Sequence, residues 1–526
     1  MTQPVRNVRG FGDMVSSPHE LATMAGAEIF ARGGSAVDAA IAVDAVLGVV
    51  APETCGIGGD LFALVWEPGY DEPATLNASG WAGSNVDANA VRAEGHRVMP
   101  AHHPASVTIP GCVAGWEALH EKYGRISMGE ILAPAIRLAE GGFPASTELA
   151  SALASRRDHL APQASGVDMY PGGSAPSRGA RLTRPLLAST LSDIITDGAA
   201  SFYTGKPAAD ISAAVGDLIT VDDLAAYRPE WVEPARLDVF GRTGWTIAPN
   251  SQGYLTLATC GVFERSAPPP PDSPEWHHLL IEAYRVMAWD RDDVVTDPAT
   301  APYGWRQLLG EDRLAERTAG IDRQRAGTWP APNPVPGGTS YMCTIGADGQ
   351  AVSFIQSNFM GIGSGIGAGT SGFFLHNRGA GFCLIPGHPN ELTPRRRPLH
   401  TLSPSLWTRD GRIEALLGTR GGHQQPQLLA QMAVHLFWAG MDPASAQCQP
   451  RWTMDEFGPG AASQVLIESD TDPAALAHLE RSGHHLVLQT PLQGGWGPVS
   501  AIVVDAEGLR TGAADPRVDT TLVVAR

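Results

Sequence analysis

The chain has 526 residues, enough for one large bilobed domain or two to three ordinary ones, and its 43% apolar content supports a sizeable core. Lys and Arg number 37 against 55 Asp and Glu, a formal charge of −18. A surface this acidic repels phosphate backbones and anionic lipid, so neither nucleic acid nor membrane is expected as a partner.

Taken in chain order, the first ten residues lack an apolar segment, so no signal peptide is read there. The most apolar stretch, residues 39–50, is interrupted by Asp44 and is too short to cross a bilayer. A cytoplasmic protein is the expectation. Residues 18–31 and 37–50 predict two helices: Leu21, Met24, Ala25 and Ile29 form the stripe of the first, and Gly33-Gly34 stops it. Residues 116–123 and 128–140 predict a second pair, closed by Gly141, Gly142 and Pro144. Residues 265–274 contain four consecutive prolines and read as a rigid connector. After them, His277, Leu280, Ile281, Tyr284 and Met287 mark an amphipathic helix. Beyond residue 339 the pattern shifts to strands, at 372–375, 405–408, 413–417 and 500–504, with an apolar helix at 427–438. The six cysteines are scattered without a CxxC pair, as expected of small buried hydrophobes rather than a disulfide framework.

The segment most informative for chemistry begins with Pro330, Pro332, Pro334 and Pro336, then Gly337-Gly338. Prolines at that density exclude helix and central strand, so this is an extended linker. It runs straight into Thr339-Ser340-Tyr341-Met342-Cys343-Thr344-Ile345, a β-branched and aromatic run followed by Ala347-Asp348-Gly349 and a second run from Gln350 to Ser357. Cleavage of the Gly338–Thr339 bond would leave Thr339 with a nucleophilic hydroxyl and, in its own α-amine, a base. With Asp348-Gly349 as a two-residue loop, Ala347 pairs with Gln350 and Ser357 falls opposite Ser340, one residue from Thr339. Ser357 is therefore the hydroxyl expected to polarise Thr339. An ordinary hairpin after an ordinary linker is the competing reading.

The wider chain resembles the gamma-glutamyltranspeptidase family from about Val15 to Arg517. The resemblance is carried by Gly33-Gly34-Ser35-Ala36-Val37-Asp38-Ala39-Ala40, Gly56-Ile57-Gly58-Gly59-Asp60, Pro110-Gly111-Cys112-Val113-Ala114-Gly115-Trp116 and Leu132-Ala133-Pro134-Ala135-Ile136. It continues through Phe202-Tyr203-Thr204-Gly205, Glu282-Ala283-Tyr284-Arg285, Gly363-Ser364-Gly365, Arg397-Pro398-Leu399, Gly421-Gly422 and Gly512-Ala513-Ala514-Asp515-Pro516-Arg517. It implies an α+β fold, the four-layer αββα sandwich of N-terminal nucleophile hydrolases. It also implies self-cleavage into a large chain, 1–338, and a small chain, 339–526, that stay together. By the same resemblance Gly421 and Gly422 form an oxyanion hole; they lie between a strand and a helix, where backbone N–H groups host anions well. No cofactor and no metal are implied, and the small-molecule partner is an amide. A homodimer is one option the sequence leaves open.

The chain departs from the glutathione-cleaving members where they clamp the substrate's amino acid. Their carboxylate-binding arginine matches Ser79, their amine-binding aspartate matches Gly381, with Ala380 beside it, and an asparagine after the hairpin matches Phe359. Their serine pair matches His400-Thr401. Each lost charged hydrogen bond removes about 1.5–3 kcal/mol. Residues 382–397 are also too short for the lid found in some members, and an open site favours hydrolysis over transfer to an amine. Arg378, Arg395, Arg396 and Arg397 place cations near the expected mouth, either as solvated surface or as a site for a carboxylate on a different acyl group.

The expectation is an autoprocessing amidohydrolase acting on an acyl amide other than glutathione. A true gamma-glutamyltransferase or glutathione hydrolase, and an inactive scaffold of the same fold, are the alternatives. A dinucleotide site at Gly363-Ser364-Gly365-Ile366-Gly367-Ala368 fails because no helix can start in the glycine-rich residues that follow. The pairs His102-His103, His277-His278 and His484-His485 are adjacent rather than ligand-spaced, and no G-x-S-x-G elbow is present.

Overall fold

The computed structural model describes residues 5–327, 338–454 and 464–526. The proline-rich linker expected at 330–337 lies outside the described residues.

Two seven-stranded antiparallel sheets form the centre. The first runs Leu522–Ala525, Met14–Ser17, Gly338–Ile345, Ala351–Phe359, Asp60–Trp66, Ala74–Ala78 and Glu230–Val232. The second runs Asn7–Gly10, Arg510–Ala513, Val499–Val504, Arg412–Thr419, Ser405–Arg409, Arg242–Ile247 and Pro234–Val239. Successive side chains on a strand point to opposite faces, and here both faces are covered. Phe62, Leu64, Trp66, Tyr341, Cys343 and Ile345 from the first sheet pack against Trp245, Ile247, Leu406, Leu416 and Ile502 from the second. The intervening residues Leu61, Ala63, Val65 and Met342 join a helical layer built on Ala36–Val50. Across the second sheet, Ala415 and Leu417 meet another helical layer formed by Tyr254–Arg265, Glu275–Ala288 and Gln425–Ala433. Three apolar interfaces separate four layers, and the αββα sandwich is borne out.

All fifteen residues of Ala36–Val50 are buried, and its start is secured by a reciprocal cap between Ser35 and Asp38. The preceding helix spans Glu20–Ala31, and its buried side is rotated from the expected stripe: Ala25 and Ile29 are buried as expected, but Met24 is 54% exposed and Ala22 and Gly26 are buried as well. Gly26 explains the rotation, because a Cβ there would come within 2.7 Å of Val43 Cγ2 and 3.1 Å of Val15 Cγ1. Close approach selected the smaller face. The helices Cys112–Tyr123, Met128–Gly141 and Glu275–Ala288 and the strands Ser405–Arg409, Arg412–Thr419 and Val499–Val504 lie where periodicity placed them. The helix expected at 427–438 begins at Gln425 and ends in a π-helical turn, Val434–Trp438. No strand forms at 372–375; only Gly367 and Phe374 bridge, and Phe373, Phe374 and Leu375 pack into the helical core. Among the described residues Cys55, Cys112, Cys260 and Cys343 are buried free thiols, Cys383 is half-buried and Cys448 is exposed. No helix among them is long and apolar enough to cross a membrane.

Candidate active site

Thr339 begins at the edge of an irregularity. Gly338 pairs with Phe359 and Ser340 with Gln356, so Ser357 and Asn358 together oppose Thr339 alone, a β-bulge. The hairpin loop is longer than the two residues expected. Ile345 pairs with Ala351, Gly346 N donates to Gln350 O at 2.8 Å, and Gly349 takes φ 89° to close the turn. The Asp348 carboxylate caps this wider loop by accepting from Gln350 N at 3.1 Å, and it meets the Arg125 guanidinium outside it. The expected pairing of Ser357 with Ser340 is therefore one residue out. The shifted register itself sets Ser357 against Thr339, and the bulge beyond it moves Gly338 on to Phe359.

The Ser357 hydroxyl is fully used. It donates to the Gly338 carbonyl oxygen at 2.7 Å, accepts from Phe359 N at 2.7 Å, and lies 3.1 Å from Thr339 Oγ1. With its proton on Gly338 O, its free lone pair receives the Thr339 hydroxyl proton. Thr339 and Ser357 are both buried. A turn at residues 51–56 brackets the same segment: Thr54 Oγ1 lies 2.8 Å from Ser340 Oγ, and Asn358 N donates to Thr54 O at 3.1 Å. A Cβ on Gly338 would approach Glu53 O to 2.9 Å, so only glycine passes this point comfortably. Glu53 itself is buried, its carboxyl is pushed up to about 8 by desolvation, and its Oε2 has no hydrogen-bond partner among the described residues.

The second central strand, Arg412–Thr419, ends at Gly421 and Gly422, which adopt φ 121° and 55°. Both values favour glycine. The Gly421 carbonyl accepts from Gln424 N at 2.9 Å and the Gly422 carbonyl from Gln252 Nε2 at 2.9 Å, which fixes the peptide planes of the turn. Gln425 opens the following helix, and its Nε2 lies 3.5 Å from Thr339 Oγ1. Sequence reading did not single out Gln252 or Gln425; both are buried amides whose partners come from distant loops.

The recognition residues divide sharply. Ser79 is buried, donating through Oγ to Asn77 Oδ1 at 2.7 Å and accepting from Asn250 Nδ2 at 3.3 Å. At Gly381 a Cβ would overlap the Leu399 carbonyl oxygen, so there is no room for an aspartate side chain. Phe359 is buried at the end of its strand with φ 72°. Its ring centroid lies 4.0 Å from Arg378 Cζ. Arg378 is wholly buried: Nε donates to Asp60 Oδ2 at 3.1 Å and Nη1 to Thr401 Oγ1 at 3.0 Å. Asp60 Oδ2 also meets His376 Nδ1 at 3.2 Å and His400 Nε2 at 2.9 Å, while Oδ1 accepts from Gly80 N at 3.2 Å. Although burial works against it, the two histidines help hold Asp60 well below the usual carboxylate range. Burial and the nearby Arg378 cation push His400 down to about 3 and keep it neutral. Asp60 and His376 stand inside motifs the sequence displays, but only the fold shows them converging.

The four arginines expected at the mouth are therefore not alike. Arg378 is interior. Arg397 is buried as well, bonded to Glu230 at 2.9 and 3.2 Å and to Ser79 O at 3.1 Å. Arg395 and Arg396 remain solvated, 3.8 Å from Asp223 and 3.6 Å from Asp297. Residues 382–397 pack Phe382, Leu384 and Leu392 against Ala82, Val86, Val91 and Met99, so this segment lies down on the body of the protein. Among the described residues, one group has metal-ligand spacing: His278, Glu282 and His484, one residue from each of two adjacent-histidine pairs. Glu282 is already paired with Arg285 and accepts from Gly327 N at 2.9 Å, while His278 Nδ1 and His484 Nε2 bond each other at 2.8 Å. The site around Thr339 is built from hydroxyls, amides and main chain.

Comparison with known proteins agrees over the full length. A family model described as gamma-glutamyltranspeptidase matches residues 22–525. The glutathione hydrolase-like YwrD proenzyme of Bacillus subtilis (strain 168) is 35% identical, with 98% of this chain and 99% of that protein covered. The oxamate amidohydrolase proenzyme of Klebsiella pneumoniae is 35% identical over 96% of this chain and 97% of its own. A crystal structure of cephalosporin acylase from Bacillus halodurans superposes with a TM-score of 0.91 at 33% identity, covering 99% and 97% of the two chains. The chain belongs to the gamma-glutamyltranspeptidase family.

Proposed function

We propose that this protein is an autoprocessing amidohydrolase that cleaves an acyl amide through an ester on Thr339. The observation that carries the reading is the Ser357 hydroxyl, in contact with both the Gly338 carbonyl oxygen (2.7 Å) and Thr339 Oγ1 (3.1 Å). In maturation, Thr339 Oγ attacks the Gly338 carbonyl carbon and its proton passes towards Ser357. The C–N bond then breaks as the ester forms, and water releases residues 1–338 from 339–526. The new α-amine of Thr339 serves as base in each later turnover. The substrate's amide carbonyl is attacked in the same way, its oxyanion meets the Gly421 and Gly422 N–H groups, and the amine departs before water completes hydrolysis. The two products of maturation stay together because Gly338–Ile345 pairs with Met14–Ser17, and Ala351–Phe359 with Asp60–Trp66, strands of the larger product.

Hydrolysis is favoured over transfer because residues 382–397, packed against the body, are too short for the lid found in some members. Glutathione is not the preferred substrate: Ser79 and Gly381 lack the paired charges that would hold both ends of an amino acid. Two relatives, named oxamate amidohydrolase and cephalosporin acylase, act on acyl amides of other kinds, which supports this choice. Denaturing electrophoresis with N-terminal sequencing tests the proposal. Two bands are expected, the smaller beginning at Thr339, and mass spectrometry of enzyme quenched during turnover should place the acyl group on that residue. A single full-length band from active enzyme overturns it.

A further inference from the structure

Arg378 is the unusual residue of the recognition wall. Its guanidinium has two of its three nitrogens engaged, by Asp60 and by Thr401, and its face is stacked on Phe359. The third nitrogen, Nη2, is buried and has no hydrogen-bond partner among the described residues. A buried charged donor left unpaired is costly, and it is normally retained where something else supplies the acceptor. Its location is equally specific. Phe359, under its face, donates its N–H to Ser357 Oγ, which touches Thr339. On the other side, Gln252 Nε2 donates both to Thr401 O at 3.1 Å and to Gly422 O at 2.9 Å. Arg378 thus stands between the nucleophile strand and the glycine turn.

The hydrogen-bond balance also calls for an acceptor, although Asp60 already offsets the Arg378 charge. Asp60 already receives the Arg378 Nε–H and contacts from His376 and His400, so its carboxylate is satisfied without Nη2. Thr401 Oγ1 accepts from Nη1, which leaves its own proton free to donate beside Nη2. Two neighbouring donors, one charged, match the two oxygens of a carboxylate. We propose that Arg378, through Nη2 and with the Thr401 hydroxyl, anchors a carboxylate at the far end of the acyl group, making the substrates monoamides of dicarboxylic acids. The proposal rests on the Thr339 acyl-transfer reading for what the site does with such a ligand.

The test is isothermal titration calorimetry of the purified full chain with dicarboxylates paired to monocarboxylates of equal length, from oxalate and acetate through glutarate and valerate to adipate and hexanoate. At least one dicarboxylate should bind tenfold or more tightly than its partner, about 1.4 kcal/mol. Arg378→Gln should erase that gap and Arg378→Lys should keep part of it. If Arg378→Gln does not fold, Thr401→Val decides in its place, with the gap narrowing at least threefold. Absence of any gap in the unaltered protein, or a gap unchanged in these variants, overturns the anchor. Turnover of the matching p-nitroanilides is read in parallel: a gap without turnover overturns the acyl-transfer reading alone, and turnover without a gap overturns the anchor alone.

Discussion

On the side proposed to carry the nucleophile, Thr339, Ser357 and the Gly421–Gly422 turn are held by main-chain devices: a bulge, two positive-φ glycines and carbonyls bonded to Gln424 and Gln252. On the recognition side, Ser79, Phe359, Arg378, His400 and Thr401 are held by side chains gathered on Asp60 and Asn77. The first kind of wall tolerates little substitution, because a carbonyl attack needs a fixed oxygen and fixed donors whatever the acyl group. The second kind can be rebuilt, since exchanging one buried charge partner for another changes the ligand and leaves the chemistry in place. Gly381 shows how complete the rebuilding is: Leu399 has taken the space an aspartate would need.

The largest effect should come from the nucleophile wall. Thr339→Ala should abolish cleavage and lower turnover by at least about three decades, read by electrophoresis and by anilide hydrolysis. Retained cleavage would move the nucleophile elsewhere and dissolve the contrast between the walls. Next is discrimination by the recognition wall. Two missing charged contacts, about 3–6 kcal/mol, place kcat/KM for γ-glutamyl p-nitroanilide roughly two to four decades below that for a good dicarboxylic monoanilide. Gly381→Asp should not restore γ-glutamyl activity, because its side chain meets the Leu399 carbonyl; recovery would show that the wall is less rebuilt than it looks.

Ser357→Ala should slow acylation about tenfold or more with KM little changed, since its hydrogen bond acts on the attacking oxygen. Burst kinetics separate that step from deacylation, and an unchanged burst rate would remove Ser357 from the nucleophile wall. The smallest effect concerns Glu53, beside Gly338. Its folded-state value of about 8 lies above the ordinary 4.5, so stability is full below pH 4.5 and is lost as pH rises towards 8. Glu53→Gln should remove that loss and raise the thermal midpoint at pH 8.5 relative to the parent by about 2 °C or more, with little change at pH 4.5. An equal shift at both values would mean that the substitution acts through packing.

Much of this was legible in the chain. The glycine pair before Thr339, the two apolar runs around Asp348-Gly349 and the helix-period patterns from Ala36 to Val50 and Glu275 to Ala288 are local signals, fixed by propensity and spacing. The identities at Ser79 and Gly381 likewise raised, without coordinates, the expectation that the clamp is missing. What the sequence could not decide depends on groups distant in the chain. The wider loop around Asp348 shifted the hairpin register by one, and that shift brought Ser357 opposite Thr339. Gly26 against Val43 chose which face of the first helix is buried. Arg378 and Arg397 read like Arg395 and Arg396 as cations at the mouth, solvated or holding a carboxylate, and only the convergence of Asp60, Thr401 and Glu230 made them interior. A buried charge is set by partners hundreds of residues away, so its environment is a property of the tertiary structure alone.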